Sequence, residues 1–330
     1  MLALSTLLSL VAAELLIRAF DPLGISYYTE ISRHMAWTEP DSTKLWRYPA
    51  NASGVFQGVE IRTNELGLRE RPLDELLRPP PEPRVDPSLA ALAALADSAA
   101  TPSRRILWIG DSVVFGWGVD VESTFVRRLE RFLPNTRCIN AGVCGYDSQQ
   151  ELAMLEELLG TPSLERHPPD LVCLVYIGND MNRSVPLERV VLLLRQSRLY
   201  QLVRYVARFS RGDPGQRRTL NTTAPGWQSS IQSVHAMAQH CHSHTIPFVV
   251  FLYGMDDSAV RRALWTDLSS LAPESNFTLV DVLPWFAQRD LRDLTNSIAD
   301  GHANDRGHLI LAAGMAERIR TIRLADTAPH

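Results

Sequence analysis

The chain contains no Cys-x-x-Cys pair, no G-x-G-x-x-G and no G-x-x-x-x-G-K-[ST]. The first absence removes zinc-ribbon and thioredoxin-type redox chemistry. The other two remove the loops that cradle dinucleotides and nucleotide phosphates. An excess of one charge sign is also lacking. A net charge of −4 over 330 residues exerts no general pull on nucleic acid, and no nucleic-acid partner is expected. Internal repeats are absent, which excludes solenoids. Cysteine is sparse: Cys138, Cys144, Cys173 and Cys241. Cys173 lies inside an apolar run and reads as a buried core thiol. Cys138 and Cys144 are near enough in sequence to leave a disulfide open.

What is present is ordinary globular composition, 45% hydrophobic and 21% charged. The length suits one large domain with accessories, or two domains. Residues 1–20 begin with a nearly unbroken apolar run from Leu2 to Ile17, interrupted only by Ser5, Thr6, Ser9 and Glu14. The run is short for a membrane span and lacks a basic leader. It reads as an uncleaved signal anchor, which would put the remaining chain outside the cytoplasm. Two alternatives stand beside it: a signal cleaved near Val11-Ala12-Ala13, giving a secreted protein, and a buried amphipathic helix.

Residues 21–77 read as an irregular extension, with a strand and a turn near Asn64–Gly67 inside the stretch "GVEIRTNELGLRERP" (58–72). Residues 78–103 join three consecutive prolines to an Ala/Ser-rich stretch and read as a linker. From 104 to 325 the pattern is regular. Strand-length apolar runs at 106–109, 137–141, 171–177, 247–253 and 278–282 alternate with helical spacings. Examples are Phe125/Leu129/Phe132, Leu152/Leu155/Leu159, and Ile231/Val234/Met237. Val- and Ile-rich strands between helices predict an α/β fold with a parallel sheet covered on both faces. Sites in such sheets lie at the carboxyl ends of strands.

Four polar clusters fall at such places: Gly110-Asp111-Ser112, "NAGVCGY" (140–146), "GND" (178–180) and "DGHANDRGH" (300–308). Together they hold the parts of acyl transfer. A serine hydroxyl needs an adjacent base, and histidine is the natural base near neutral pH. A carboxylate holds the imidazole's tautomer and stabilises its charged form. Ser112, His302 and Asp300 fit those roles. The oxyanion needs donors. The backbone N–H groups of Ser112 and Gly145 and the Asn179 amide fit this role, and glycine at 145 lets backbone approach a substrate closely. Ser112 alone is equally well read as a helix cap.

The four blocks, in this order, resemble the SGNH (GDSL-type) hydrolase superfamily, named for its Ser, Gly, Asn and His. The resemblance runs from Arg104 to about Arg323 and puts Ser112, Gly145, Asn179 and His302 at the four name-giving positions. It implies a three-layer α/β/α fold with a flavodoxin-like sheet, an esterase or acylhydrolase activity, and no metal or other cofactor. Two departures stand out: Val113 replaces the commoner leucine after the serine, and the family's acid usually lies three residues before the histidine. That position is Ala299 here, and the nearest acid is Asp300. Asp300 is taken as the triad acid. A Ser–His dyad, with a carbonyl holding the imidazole, is the alternative.

Other polar residues read as structural: Asp111 as a cap, Asp180 as a support for its loop, and His308 as part of the last helix. His240 and His244 have i, i+4 spacing but no further ligand of evident geometry, so a solvated helix end is expected. From Arg183 to Arg218 nine arginines face two acids and interleave with apolar residues. This basic insertion (183–226) reads as a packed helical excursion, or as a lid or surface touching anionic lipid. The expectation is a serine esterase working through a Ser112 acyl-enzyme on an acyl ester. The substrate would be O-acylated polysaccharide or another envelope ester, with lipid as the alternative. A non-catalytic glycan-binding module is a third reading.

Overall fold

The structure, a computed structural model, describes residues 2–78, 104–178, 197–210 and 221–322. Five strands form one parallel sheet: β5 (Arg104–Gly110), β6 (Thr136–Gly142), β7 (Leu171–Tyr176), β8 (Phe248–Leu252) and β9 (Thr278–Asp281), in the order β6-β5-β7-β8-β9. All five coincide with the expected apolar runs. Because successive side chains point to opposite faces, β5 sends Leu107 and Ile109 into one core and Ile106 and Trp108 into the other. All four are essentially fully buried. That is why the run reads as continuously apolar instead of alternating.

Helices close both faces. One core is shared with α6 (Ser148–Leu159), α9 (Pro225–Ser243) and α10 (Ala259–Ser275). The other is shared with α5 (Phe125–Phe132), α11 (Leu283–Phe286) and α12 (Asp305–Thr321). Their starts are chemically marked. Asp147 and Gln150 form a capping box on α6, and Thr124, Ser258 and Asn304 cap α5, α10 and α12. This is the three-layer α/β/α fold with a flavodoxin-like sheet. From β5 the chain goes to β6 on one side, and the later strands lie on the other. The carboxyl end of β5 is therefore a topological switch point, where such sheets place their sites.

The extension at 21–77 is more ordered than expected. It holds α2 (Ser26–Trp37), the two-stranded β1 (Glu39–Asp41) and β2 (Leu45–Arg47), the hairpin β3 (Ser53–Phe56) and β4 (Val59–Arg62), and α3 (Leu73–Leu77). The expected strand is β4. The expected turn is closed by the Gly67 N–H donating to the Asn64 carbonyl. The start of α2 is held by Asp21, whose carboxylate accepts the Ile25 and Ser26 N–H groups, both at 2.7 Å. The buried residues of α2, Thr29, Ser32 and His34, are polar, so no apolar inner face announces it.

The N-terminal run is helical, α1 (Leu2–Ala19). Among the described residues no helix is long and apolar enough to cross a membrane. Nor is α1 buried: Leu7, Leu8, Leu15 and Leu16 are each more than half exposed. It packs on α8 (Arg198–Ser210), where the Glu14 carboxylate accepts the Arg198 and Leu199 N–H groups at 3.1 and 2.8 Å. Apart from Arg78, the expected linker 78–103 lies outside the described residues, as do residues 183–196 and 211–220 of the basic insertion.

Candidate active site

Ser112 opens α4 (Ser112–Phe115), one helical turn straight after β5. Asp111 caps that turn, accepting the Val113 N–H at 2.9 Å. Gly116, at φ 79°, closes it in the left-handed region. Beneath it lies Arg69, buried, with Nη1 donating to the Phe115 and Gly116 carbonyls at 3.0 and 2.7 Å and Nη2 to the Val119 carbonyl at 2.8 Å. The guanidinium thus holds the two carbonyls that end the turn, Phe115 and Gly116, and one from the loop that follows, Val119. Its burial lowers its pKa to about 10.

His302 and Asp300 lie on the loop before α12. The loop doubles back: the Asn296 N–H donates to the His302 carbonyl at 3.0 Å, and Thr295 bridges Ala303. Asp300 Oδ1 lies 2.5 Å from His302 Nδ1 and also accepts the His302 N–H at 3.2 Å. The second contact is a local turn that aspartate makes readily with the N–H two residues on. It explains how a two-residue spacing serves: the carboxylate folds back along its own backbone onto the ring. Oδ2 accepts Gln57 Nε2 at 3.0 Å and Asn296 Nδ2 at 3.2 Å. With Nδ1 donating to this carboxylate, Nε2 is left as an acceptor, 2.8 Å from Ser112 Oγ. Ser112 Oγ also has Asp111 Oδ2 at 3.0 Å.

Ser112 and His302 line a cavity of about 470 Å³ with Gly145, Tyr27, Ile31 and Met35, and Asp300 is buried behind His302. Gly145 has φ 79°, a conformation glycine adopts at no cost. Its loop is held from below, because the Cys144 N–H donates to Tyr48 Oη at 2.9 Å and Tyr146 Oη donates to the Trp46 carbonyl at 2.6 Å. Burial pushes the Cys144 thiol and the Tyr27 and Tyr253 hydroxyls well above their ordinary ranges.

Ser112, Asp300, His302 and Gly145 thus meet at one place. Asn179 and Asp180 lie outside the described residues. His308 accepts the Phe125 N–H at 3.1 Å in a buried position. The His240 and His244 rings are tilted by 54° at 4.6 Å between ring centres, and His244 Nδ1 lies 2.9 Å from the His240 carbonyl. Among the described residues no three His, Cys, Asp or Glu side chains are grouped to hold a metal. All four cysteines are free and buried, so no disulfide links Cys138 to Cys144. Gln57, Asn296, Arg69 and the α2 side chains were not foreseen. Their contacts reach across long stretches of chain and carry no local motif.

The sequence model of the GDSL-like Lipase/Acylhydrolase family matches residues 108–310. The chain belongs to that family. The fold is the SGNH hydrolase fold, and the protein is a serine hydrolase acting on esters. Solved structures similar to it include TesA (18% identity, TM-score 0.45, covering 66% of this chain and 98% of that one). Another is the psychrotrophic esterase EstA from Pseudoalteromonas sp. inhibited by monoethylphosphonate (15%, 0.43, 66% and 97%). A third is a catalytic mutant of Axe2, an acetylxylan esterase from Geobacillus stearothermophilus (14%, 0.43, 69% and 99%). No curated protein matches the chain. The family assignment rests on the 108–310 match.

Proposed function

We propose that this GDSL-family hydrolase cleaves esters through a Ser112 acyl-enzyme. The observation that carries the reading is the relay from Ser112 Oγ to His302 Nε2 (2.8 Å) and from Nδ1 to Asp300 Oδ1 (2.5 Å). His302 takes the hydroxyl proton as Ser112 attacks the acyl carbon. Asp300 steadies the imidazolium that forms. The same proton then goes to the leaving alcohol. Water attacks the acyl-enzyme with His302 again as base, which releases the acid and restores Ser112. The Ser112 and Gly145 N–H groups, with the Asn179 amide, serve as oxyanion donors, each contributing about 2.7–4 kcal/mol to the barrier reduction.

The cavity beside Ser112 is walled by Ile31, Met35, Val113 and Ile177, which suits an apolar acyl group. An adjoining cavity of about 420 Å³ shares Ile177, Tyr253 and Gly301 with it and adds Asp256, Ser258 and Thr295. Set beside Met255, Val260, Leu264 and Leu291, those three polar side chains offer hydrogen bonds to a hydroxyl-rich alcohol, as in an O-acylated polysaccharide. The exposed leucines of α1 support the other reading. In it the protein rests on a membrane by α1 and the basic segment, outside the cytoplasm, and hydrolyses a lipid ester.

Turnover of a chromogenic short-chain ester tests the chemistry. The wild-type chain hydrolyses it and Ser112→Ala does not. Equal rates in the two would end the proposal. Acetylated xylan beside a lysophospholipid then separates the two substrate readings.

A further inference from the structure

The family match begins at Trp108, yet two parts of the site come from upstream of it. The first is α2. Tyr27, Ile31 and Met35 recur four residues apart, so they lie on one helix face, and all three line the Ser112 cavity. The Tyr27 ring sits 5.7 Å from the His302 ring, centre to centre. The second is the two-residue turn of the β3–β4 hairpin, Gln57-Gly58. Its residues have φ 54° and 73°, the pattern that asparagine or glycine satisfies best. The turn carries glutamine instead, and the longer side chain spans the gap to Asp300 Oδ2 at 3.0 Å. The two parts are tied together, since the Gln57 N–H donates to Glu30 Oε2 of α2 at 3.0 Å. Arg33 in turn holds Glu30, with Nη1 2.6 Å from Oε1.

We infer that residues 26–57 complete the active site as one unit, in which the Tyr27/Ile31/Met35 face binds an apolar acyl chain and Gln57 is a positioning residue that fixes Asp300. This rests on the Ser112 acyl-enzyme reading. Asp300 needs such a clamp because its carboxylate turns back over only two residues to reach His302. Gln57 and Asn296 hold Oδ2 from outside, so that Oδ1 keeps its line to Nδ1. An acyl group carried on Ser112 Oγ sits in the cavity that the α2 face lines. Each methylene buried there should favour binding about fourfold.

The test uses the full chain, with p-nitrophenyl acetate and p-nitrophenyl octanoate as substrates, and ethyl phosphonate labelling of Ser112 in parallel. Met35→Trp narrows the cavity and is expected to lower the octanoate-to-acetate ratio of kcat/KM at least tenfold. Gln57→Glu keeps the shape and replaces the donor by an acceptor. Gln57→Asn suits the turn better than glutamine, so the hairpin folds, but its amide is one methylene short of Asp300. Both should lower kcat at least tenfold with KM within about threefold, the signature of a lost transition-state interaction. A filler role for Gln57 would leave kcat unchanged in both. An unchanged chain-length ratio in Met35→Trp, or wild-type kcat in Gln57→Asn, overturns the inference. Failure of the underlying reading looks different: the wild-type chain would then turn over ester without labelling at Ser112.

Discussion

Replacing Asp300 by alanine separates a triad from a dyad. The carboxylate is 1% exposed and accepts four hydrogen bonds: His302 Nδ1, the His302 N–H, Gln57 Nε2 and Asn296 Nδ2. Two losses follow from its removal. The first is catalytic. His302 loses the partner that selects its tautomer and stabilises its charged form, which in serine triads is worth about 10⁴ in kcat, or about 5.5 kcal/mol of barrier. The second is structural. The Gln57 amide and the His302 N–H lose their acceptor, while Asn296 Nδ2 keeps the Trp117 carbonyl at 3.1 Å. Each stranded donor costs about 1–3 kcal/mol, so stability should fall by about 2–6 kcal/mol and Tm by several degrees. Initial rates on a short-chain p-nitrophenyl ester, taken well below the variant's melting point, separate the two. Asp300→Ala should approach the residual activity of His302→Ala. If it keeps activity within tenfold of wild type while His302→Ala abolishes turnover, the acid does not serve the ring and the relay is a dyad.

Three predictions concern buried groups away from the relay. His34 is fully buried among aromatic rings with neither ring nitrogen partnered, and burial holds its pKa down to about 3. Its neutral form supports folding above the unfolded value near 6.5. That support is lost at about 1.4 kcal/mol per pH unit as pH falls from there toward 3. His34→Phe should therefore gain stability over wild type at pH 5 compared with pH 8 in denaturant titrations; an equal difference at both would refute the argument. Glu151 is buried, neither carboxyl oxygen has a partner, and burial beside Asp111 raises its pKa well above 4.5. The folded state then keeps a proton that the unfolded chain releases above about pH 4.5, so stability falls as pH rises. Glu151→Gln removes that slope, and its Tm advantage should grow from pH 5 to pH 8. Arg69→Lys should cost about 2–4 kcal/mol, because an ammonium cannot reproduce a three-carbonyl fork. A Tm within two degrees of wild type would show that the brace is dispensable.

Much of this architecture is legible in local pattern. The strands of the sheet coincide with apolar runs, because a parallel sheet buried on both faces needs apolar side chains at every position. Ser112, Gly145 and His302 were reachable because their neighbours, Asp111, the small residues of 140–146 and the Asn304 cap, mark strand ends and helix starts. What stayed hidden is contact between distant segments. Gln57 meets Asp300 across 243 positions and Arg69 meets Phe115 across 46, and no periodicity records either. The helix α2 escaped notice because its buried residues include Thr29, Ser32 and His34, so its inner face does not look apolar. The spacing of Asp300 ran against the usual pattern and looked like a defect. The carboxylate's bond to the His302 N–H turns it into a workable geometry.

The central claim is that Ser112 becomes covalently acylated. Mass spectrometry of the chain after brief exposure to p-nitrophenyl butyrate at low pH, followed by peptide mapping, reads this directly. The account predicts a butyryl adduct on the peptide carrying Ser112, gained by wild type and absent from Ser112→Ala. An active chain with no adduct there, or with the adduct on another residue, would contradict it.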